Sequence, residues 1–264
     1  MPSSVLSLFL DHFQISPDLP RATLLTRVLT SFASIPYENL SKIIGFAQAG
    51  RTIHKQSPDD IIRGFIASGT GGTCFPLTET LIRILQELGF PAVPILADRR
   101  YGSDSHCALL CEVTTNSWCL VDPGYLLISP LALPLQGSAV YSLPFTRVEL
   151  RRLADSDRVE LYTITDANSD KGSTYRLTYK TTPVDEHSFH AAWDRSFDWE
   201  MMRYPVLSRV IGDTHIYVQK NSILLRSGDS HTRRTIDAGD FIREVSSSML
   251  VKEEIIKKAL ECLR

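Results

Sequence analysis

The sequence predicts an α+β fold, because three patterns follow one another along the chain. Up to about residue 90, apolar residues recur every three or four positions, as on one face of a helix. From Pro91 on, short runs rich in β-branched and aromatic residues alternate with turn-forming residues, which is typical of an antiparallel sheet or barrel. The last part mixes strands with a closing helix. This order indicates α+β rather than repeated β–α–β units.

Four helices are expected in the first part, and start and stop signals give their ends. Ser57-Pro58-Asp59-Asp60 is a helix start, Gly69 is a stop, and Gly89 closes the last apolar stripe. The four candidates cover residues 5–13, 20–32, about 57–69 and 76–88.

Strands are expected next, separated by Asn, Asp, Gly and Ser. Six strands are predicted in the middle third, at residues 92–96, 106–113, 118–121, 147–153, 159–165 and 174–179. The last part is predicted to contain two strands and one helix, at residues 215–219, 222–225 and 252–263.

Composition and charge exclude several classes of partner. The chain has 264 residues, 43% apolar and 22% charged, with a net charge of −2. This balance gives no electrostatic case for nucleic acid or an anionic membrane surface. The pairs Arg99-Arg100, Arg151-Arg152 and Arg233-Arg234 are interpreted as solvent-exposed faces. Residues 1–13 lack a basic stretch and are too short to span a membrane. The oligomeric state is left open.

The five cysteines indicate a reducing compartment. Their odd number, without any C-x-x-C spacing, argues against a disulfide framework, so we expect a cytoplasmic protein. A zinc site at His106, Cys107 and Cys111 is not expected, because a strand would place both cysteines on the face opposite the histidine. No metal is predicted.

Cys74 is the candidate nucleophile. It follows Gly71-Gly72-Thr73 at the predicted start of a helix. Exposed amides and the positive end of the helix dipole stabilise an anion there, so a thiolate is favoured over the thiol. The alternative is a buried cysteine that acts as a small apolar side chain.

His106 and Asp122 are the candidate base and its orienting carboxylate. His106 begins one strand, Asp122 ends the next, and a turn near Asn116 joins them as a hairpin. The two residues share a face only if opposed residue numbers have an even sum. We therefore predict a three-residue loop that pairs Val113 with Ser117 and places Asp122 opposite Ala108.

These residues together resemble the arylamine N-acetyltransferase family, whose members have a catalytic Cys, His and Asp in this order. The family motif Arg-Gly-Gly-x-Cys corresponds to Thr70-Gly71-Gly72-Thr73-Cys74, and Val-Asp-Val-Gly-Phe-Gly corresponds to Val121-Asp122-Pro123-Gly124-Tyr125. A third motif, Ile-Pro-Phe-Glu-Asn-Leu, is similar to Ile35-Pro36-Tyr37-Glu38-Asn39-Leu40. The resemblance is good over about residues 6–135.

The resemblance implies a three-part architecture with a core similar to papain-like proteases and transglutaminases. Residues 1–90 would form a helical bundle carrying the nucleophile, 91–190 a β-barrel carrying the base and acid, and 191–264 an α/β lid. It also implies a small-molecule acyl donor, normally acetyl-coenzyme A, and an arylamine or hydrazine acceptor. Tyr37 and Tyr125 would line the acceptor pocket. No segment stands out as coenzyme-binding.

The chain departs from the family around the motif residues. Thr70 replaces the arginine, Pro76 and Leu77 replace a glutamate and a polar amide, Pro123 replaces a valine and Leu126 replaces a glycine. These changes lie around the expected substrate pocket, and the cysteine, histidine and aspartate of the family motifs are still present. An amide synthase with a carrier-protein donor, a transglutaminase-like cysteine hydrolase and a catalytically idle binding protein therefore stand as alternatives.

Overall fold

A computed structural model describes residues 4–164, 172–228 and 230–264. Within residues 4–90 it contains five helices and a two-residue strand, β1 (Tyr37–Glu38). The helices are α1 (Val5–Phe13), α2 (Arg21–Phe32), α3 (Leu40–Gln48), α4 (Pro58–Ser68) and α5 (Cys74–Glu87).

The expected count of four helices was wrong, because α3 gave no clear signal. Its apolar face is interrupted by Lys42, which is nevertheless buried, and Asn39 makes no side-chain cap. Helix α4, by contrast, has clear start and stop signals in the sequence. Ser57 and Asp60 form a reciprocal capping box, and Gly69 ends the helix in the left-handed region with φ 70°. The four predicted helices are confirmed.

The middle of the chain forms one antiparallel sheet of eight strands, arranged as a near-barrel. The strand order is β5-β4-β3-β2-β9-β8-β7-β6. Its two edges approach each other where the Tyr141 hydroxyl donates to the Ala132 carbonyl oxygen at 2.5 Å. The strands are β2 (Ala92–Arg99), β3 (Gly102–Thr114), β4 (Ser117–Asp122), β5 (Leu127–Ala132), β6 (Ser138–Leu143), β7 (Thr146–Arg152), β8 (Arg158–Ile164) and β9 (Ser173–Lys180).

All six predicted strands of this sheet are present, and β5 and β6 were missed. The predicted end of β8 at Thr165 lies outside the described residues. Two short strands escape sequence analysis because β6 alternates exposed and half-buried positions, and Pro130 interrupts β5.

The β3–β4 hairpin has the predicted register but a different loop. Leu109 pairs with Val121 and Glu112 with Trp118, so opposed numbers have the even sum that places Asp122 on the same face as His106. The predicted pairing of Val113 with Ser117 was wrong, because Thr114 pairs with Ser117 across a two-residue turn. A bulge between residues 112 and 114 restores the even register.

The last part contains α6 (Glu186–Arg195), β10 (Val206–Ile211), β11 (Thr214–Gln219), β12 (Ser222–Ser227), β13 (Ser230–Thr235), α7 (Phe241–Met249) and α8 (Glu253–Cys262). The predicted strands at 215–219 and 222–225 and the closing helix are confirmed. Strands β10 to β13 form a second sheet whose far edge is β1, where Tyr37 pairs with Ser208. The first and last parts of the chain therefore share a sheet, and the division at residues 90 and 190 stays a prediction.

Among the described helices, none combines the length and the apolarity needed to cross a membrane.

Candidate active site

Cys74 is the first residue of α5 and follows a loop that is held in place by β1. The backbone N–H of Glu38 donates to the Gly72 carbonyl oxygen at 3.0 Å, and the N–H of Gly72 donates to the Pro36 carbonyl oxygen at 3.4 Å. A Cβ on Gly71 would lie 1.9 Å from the Pro36 oxygen, so only glycine fits. This contact explains how the Ile35–Leu40 hexapeptide, far upstream, positions the nucleophile loop.

Glu38 is the buried side chain that fixes the other side of this loop. Its Oε1 accepts the Gly71 N–H at 3.1 Å, and its Oε2 accepts the Ser41 N–H at 2.9 Å. Burial raises the pKa of Glu38, although these hydrogen bonds oppose the rise. With Thr70 in place of the family's arginine, the loop is held by hydrogen bonds from backbone amides and Ser41.

His106 and Asp122 meet on one face of the eight-stranded sheet. His106 Nε2 lies 2.6 Å from Asp122 Oδ2, and both side chains are fully buried. Asp122 Oδ2 also accepts the Tyr179 hydroxyl at 2.7 Å, while Oδ1 accepts the Tyr125 N–H at 2.8 Å. Three donors therefore fix the carboxylate in one orientation, and it in turn fixes the imidazole.

Cys74 and His106 meet at Gly124, two residues after Asp122. A Cβ on Gly124 would lie 2.7 Å from Cys74 Cβ and 3.0 Å from His106 Cε1. The helix start and the sheet thus contact the same small residue, which leaves room for nothing larger. The structure brings together all three side chains that the sequence predicted.

The charges around Cys74 favour its thiolate. Burial raises the pKa of the thiol, but hydrogen bonds from Cys107 and His106 and the positive charges of His106 and Arg99 outweigh burial and hold the pKa well below the ordinary value. Burial lowers the pKa of His106, whereas the Asp122 carboxylate raises it, with a net rise. These two shifts favour transfer of the proton from Cys74 to His106, which gives a thiolate beside an imidazolium.

Arg99 is a site residue that sequence analysis missed, and its interpretation as part of an exposed face was wrong. Its Nη2 lies 3.1 Å from His106 Nδ1, and because a guanidinium only donates, Nδ1 accepts this hydrogen bond when the imidazole is neutral. The signal that could have identified Arg99 as a site residue is the register of the eight-stranded sheet. Ala97 pairs with His106 and with Tyr179, so Arg99, two residues further along β2, emerges beside the histidine.

A cavity of about 770 Å³ opens above this site. Tyr37, Tyr125 and Gly124 all line it, and the role of the two tyrosines in an acceptor pocket stays a prediction. The second sheet closes the opposite wall with residues such as Tyr217 and Leu224. Cys74 and His106 are buried and are not among its lining residues; Gly124 is the lining residue that contacts both.

Cys107 lies on the other face of β3, as the strand alternation predicted. Its Sγ is 3.5 Å from Thr78 Oγ1 of helix α5. In residues 4–164, 172–228 and 230–264, no three His, Cys, Asp or Glu side chains are grouped so that they would hold a metal ion.

Comparisons with solved structures show the same fold. The arylamine N-acetyltransferase from Mycobacterium abscessus has a TM-score of 0.80 at 17% identity, covering 98% of this chain and 94% of that chain. The Mycobacterium marinum enzyme has a TM-score of 0.79 at 14% identity, covering 98% of each chain. A further structure of the M. marinum enzyme, in complex with CoA, has a TM-score of 0.77 at 14% identity and covers 96% of this chain and 94% of that chain.

Sequence comparison adds a curated relative and a family. Proansamycin X synthase from Amycolatopsis mediterranei (strain S699) is 29% identical over 125 residues, which are 44% of this chain and 46% of that protein. The match therefore spans less than half of the curated relative. The model of the N-acetyltransferase family matches residues 22–252, which include every site residue described above. The chain belongs to the arylamine N-acetyltransferase family.

Proposed function

We propose that this protein transfers an acyl group from a coenzyme A thioester, through a thioester on Cys74, to the nitrogen of an arylamine or hydrazine. The observation that carries the proposal is the buried 2.6 Å contact between His106 Nε2 and Asp122 Oδ2, beside a cysteine at a helix N-terminus. Asp122 has the role of orienting the imidazole, and His106 that of the proton acceptor. We assign the acceptor to the cavity that Tyr37 and Tyr125 line.

The reaction has two balanced steps. In the first, the Cys74 thiolate attacks the carbonyl carbon of the donor, a carbon–sulfur bond to Cys74 forms, and the bond to the coenzyme sulfur breaks. The coenzyme thiolate leaves and takes the proton held by His106. In the second, the amine nitrogen attacks the acyl-cysteine, its proton passes to His106, and the Cys74 thiolate is released.

Arg99 changes partner during these steps. While His106 Nδ1 is unprotonated it accepts from Arg99. A proton on Nδ1 removes that acceptor, so the protonated ring donates to the Cys74 sulfur instead. Arg99 then faces the thiolate, whose pKa its charge helps to lower.

The positive charge of the cavity is complementary to the phosphates of a coenzyme A donor. Arg226 and Arg233 line it on the side of the second sheet, and in the described chain neither forms an ion pair. Guanidinium groups bind phosphate well, so these residues have the charge to hold the phosphates of coenzyme A. We place the enzyme in the cytoplasm, where a free thiol is kept reduced.

The experiment that tests the proposal is intact-mass measurement after mixing the purified protein with acetyl-coenzyme A and no acceptor. The proposal predicts one acetyl group on the wild type and on Cys111→Ala, and none on Cys74→Ser. Adding an aromatic amine is expected to remove the group and yield the amide. Loss of the group to water at the same rate with and without amine indicates a hydrolase. No adduct, with an unreactive Cys74, leaves only a binding function.

A second candidate is an amide synthase that takes its acyl group from a carrier protein. The similarity to proansamycin X synthase favours this candidate, because the matched relative is named as a synthase. The chemistry at Cys74 is the same, and only the donor differs. Acylation by an acyl-carrier-protein thioester, without acylation by acetyl-coenzyme A, supports this second candidate over the first.

A further inference from the structure

The cavity above Cys74 is strongly basic. Five arginines line it, against a single carboxylate, that of Glu200; they are Arg99, Arg100, Arg176, Arg226 and Arg233. Within the part of the chain that the structure describes, none of these five forms a salt bridge with an acidic side chain. The chain as a whole carries a net charge of −2, so this concentration of positive charge is local.

Arg99 is the arginine closest to the chemistry, and it lacks a fixed counter-ion. Its Nε is buried and has no hydrogen-bond partner. The carboxylate of Asp122 is already occupied by His106, Tyr179 and a backbone amide. The phenols of Tyr37 and Tyr101 stay neutral near pH 7, because a phenol ordinarily titrates at about 10 and desolvation raises the pKa of each further. Among the described residues, the Cys74 thiolate is therefore the anion beside Arg99 that no ring separates from it, since the Asp122 carboxylate lies on the far side of His106.

Acylation removes this anion. When Cys74 becomes a thioester its sulfur is neutral, and the Arg99 guanidinium keeps only the Asp122 carboxylate, across the His106 ring, as an opposite charge. The phosphates of a coenzyme cannot replace it, because they lie a full pantetheine arm away from the reacting sulfur. A carboxylate on the acyl group itself would lie within reach of Arg99, whose free Nε and adjacent Nη offer the two parallel donors that a carboxylate accepts.

We propose that the acyl group transferred through Cys74 carries a carboxylate held by Arg99, so that the preferred donor is the thioester of a short dicarboxylic acid such as malonyl- or succinyl-coenzyme A. This inference rests on the proposed acyl transfer and names its substrate class. The carboxylate takes no part in bond making. Both acylation and release follow the two balanced steps given above.

The test compares the rate constants for acylation of Cys74 by acetyl-, malonyl- and succinyl-coenzyme A, followed by intact mass. All three donors share the coenzyme, so the contribution of its phosphates cancels in the ratio. The wild type is expected to react about 10-fold or more faster with one of the two dicarboxylic donors than with acetyl-coenzyme A. Arg99→Gln is expected to bring the ratio close to one.

Arg100→Gln is the matched control, because it removes the same charge from the rim while Arg99 stays in place. Arg100 is exposed and lies over the ring of Tyr175, with 5.5 Å between its Cζ and the ring centroid. In the Arg100→Gln variant, the ratio of acylation rate constants between the dicarboxylic donors and acetyl-coenzyme A is expected to stay as in the wild type. Arg99→Lys keeps the charge and loses the paired donors, so its ratio is expected to fall several-fold even if Arg99→Gln does not fold.

In the donor comparison, any of three results would overturn the inference: a wild type that prefers acetyl-coenzyme A, an Arg99→Gln variant that slows all donors by the same factor, or equal changes of ratio in the Arg99 and Arg100 variants. A carboxylate requirement that follows the acceptor instead, seen as 4-aminobenzoate reacting faster than aniline only when Arg99 is present, also overturns it. If no donor acylates Cys74, the proposed function itself fails.

Discussion

Gly124→Ala is the substitution whose effect follows most directly from the site geometry. The added methyl carbon would lie 2.7 Å from Cys74 Cβ, 3.0 Å from Cys74 Cα and 3.0 Å from His106 Cε1. Carbon atoms pack best at about 3.5 Å or more, so the closest contact is short by about 0.8 Å. Cys74 and His106 must move apart by a comparable distance. A displacement of about 1 Å between reacting groups costs about 100-fold in rate.

We therefore expect Gly124→Ala to lower kcat/KM for acyl transfer by about 100-fold, measured by release of the coenzyme thiol. The extra methyl in a packed site costs about 1–3 kcal/mol of stability, so the variant stays folded and its Tm falls by a few degrees. Gly239→Ala is the matched control, because a Cβ there meets nothing within 4 Å. A folded Gly124→Ala enzyme with the wild-type rate would refute the convergence of Cys74 and His106 at this residue.

Three further predictions concern the charges and hydrogen bonds of the site. Asp122→Asn is expected to slow acylation by about 10³- to 10⁴-fold, because the amide favours the wrong imidazole tautomer; acylation at the wild-type rate would contradict the orienting role. Tyr179→Phe, which deletes the 2.7 Å hydrogen bond to Asp122, is expected to lower the free energy of unfolding in urea by about 1.5–3 kcal/mol, whereas Tyr162→Phe on the surface of β8 changes it by less. Burial lowers the pKa of Lys42 to about 7. The destabilisation of the fold by this buried charge is therefore complete below pH 7 and disappears as the pH rises toward about 10.4. Lys42→Met is therefore expected to stabilise the fold by about 1–4 kcal/mol at pH 6 and by less at pH 9, and equal gains at both pH values would argue against a buried charge.

The contact between His106 and Asp122 could be predicted because both lie on one hairpin. Strand alternation reduces the question to whether an even or an odd register joins them. The even register is present, although a bulge and a two-residue turn produce it instead of the predicted three-residue loop. The even register could be predicted, because His106 and Asp122 interact only if they share a face of the sheet. The bulge could not be predicted, because it depends on local backbone geometry that the sequence does not show.

Arg99 and Tyr179 could not be predicted in the same way. They join the site through the pairing of Ala97 with Tyr179, which are 82 positions apart. No local signal reports a pairing over that distance, and two consecutive arginines are typical of an exposed surface. The structure shows that one of them, Arg99, points to His106 while Arg100 is exposed.

The missed elements are those whose burial depends on the rest of the fold. Helix α3 buries Lys42, whose Nζ donates to the Ser196 carbonyl oxygen at 2.9 Å and lies 4.1 Å from the centroid of the Phe197 ring. A lysine at such a position breaks an apolar stripe in the sequence. Strand β13 is exposed at every position, so it shows no alternation of apolar and polar residues.

The pH dependence of Cys74 alkylation shows whether this cysteine is a thiolate near neutral pH. The wild type is treated with iodoacetamide between pH 5 and 9, and the modified cysteines are located by peptide mass. We expect that Cys74 already reacts at its full rate near neutral pH, that His106→Ala shifts this reactivity to higher pH, and that Cys111, whose pKa burial raises to about 11, stays unmodified. A Cys74 rate that rises tenfold per pH unit up to about 8.5, as for a free thiol, would contradict a thiolate stabilised by His106 and Arg99.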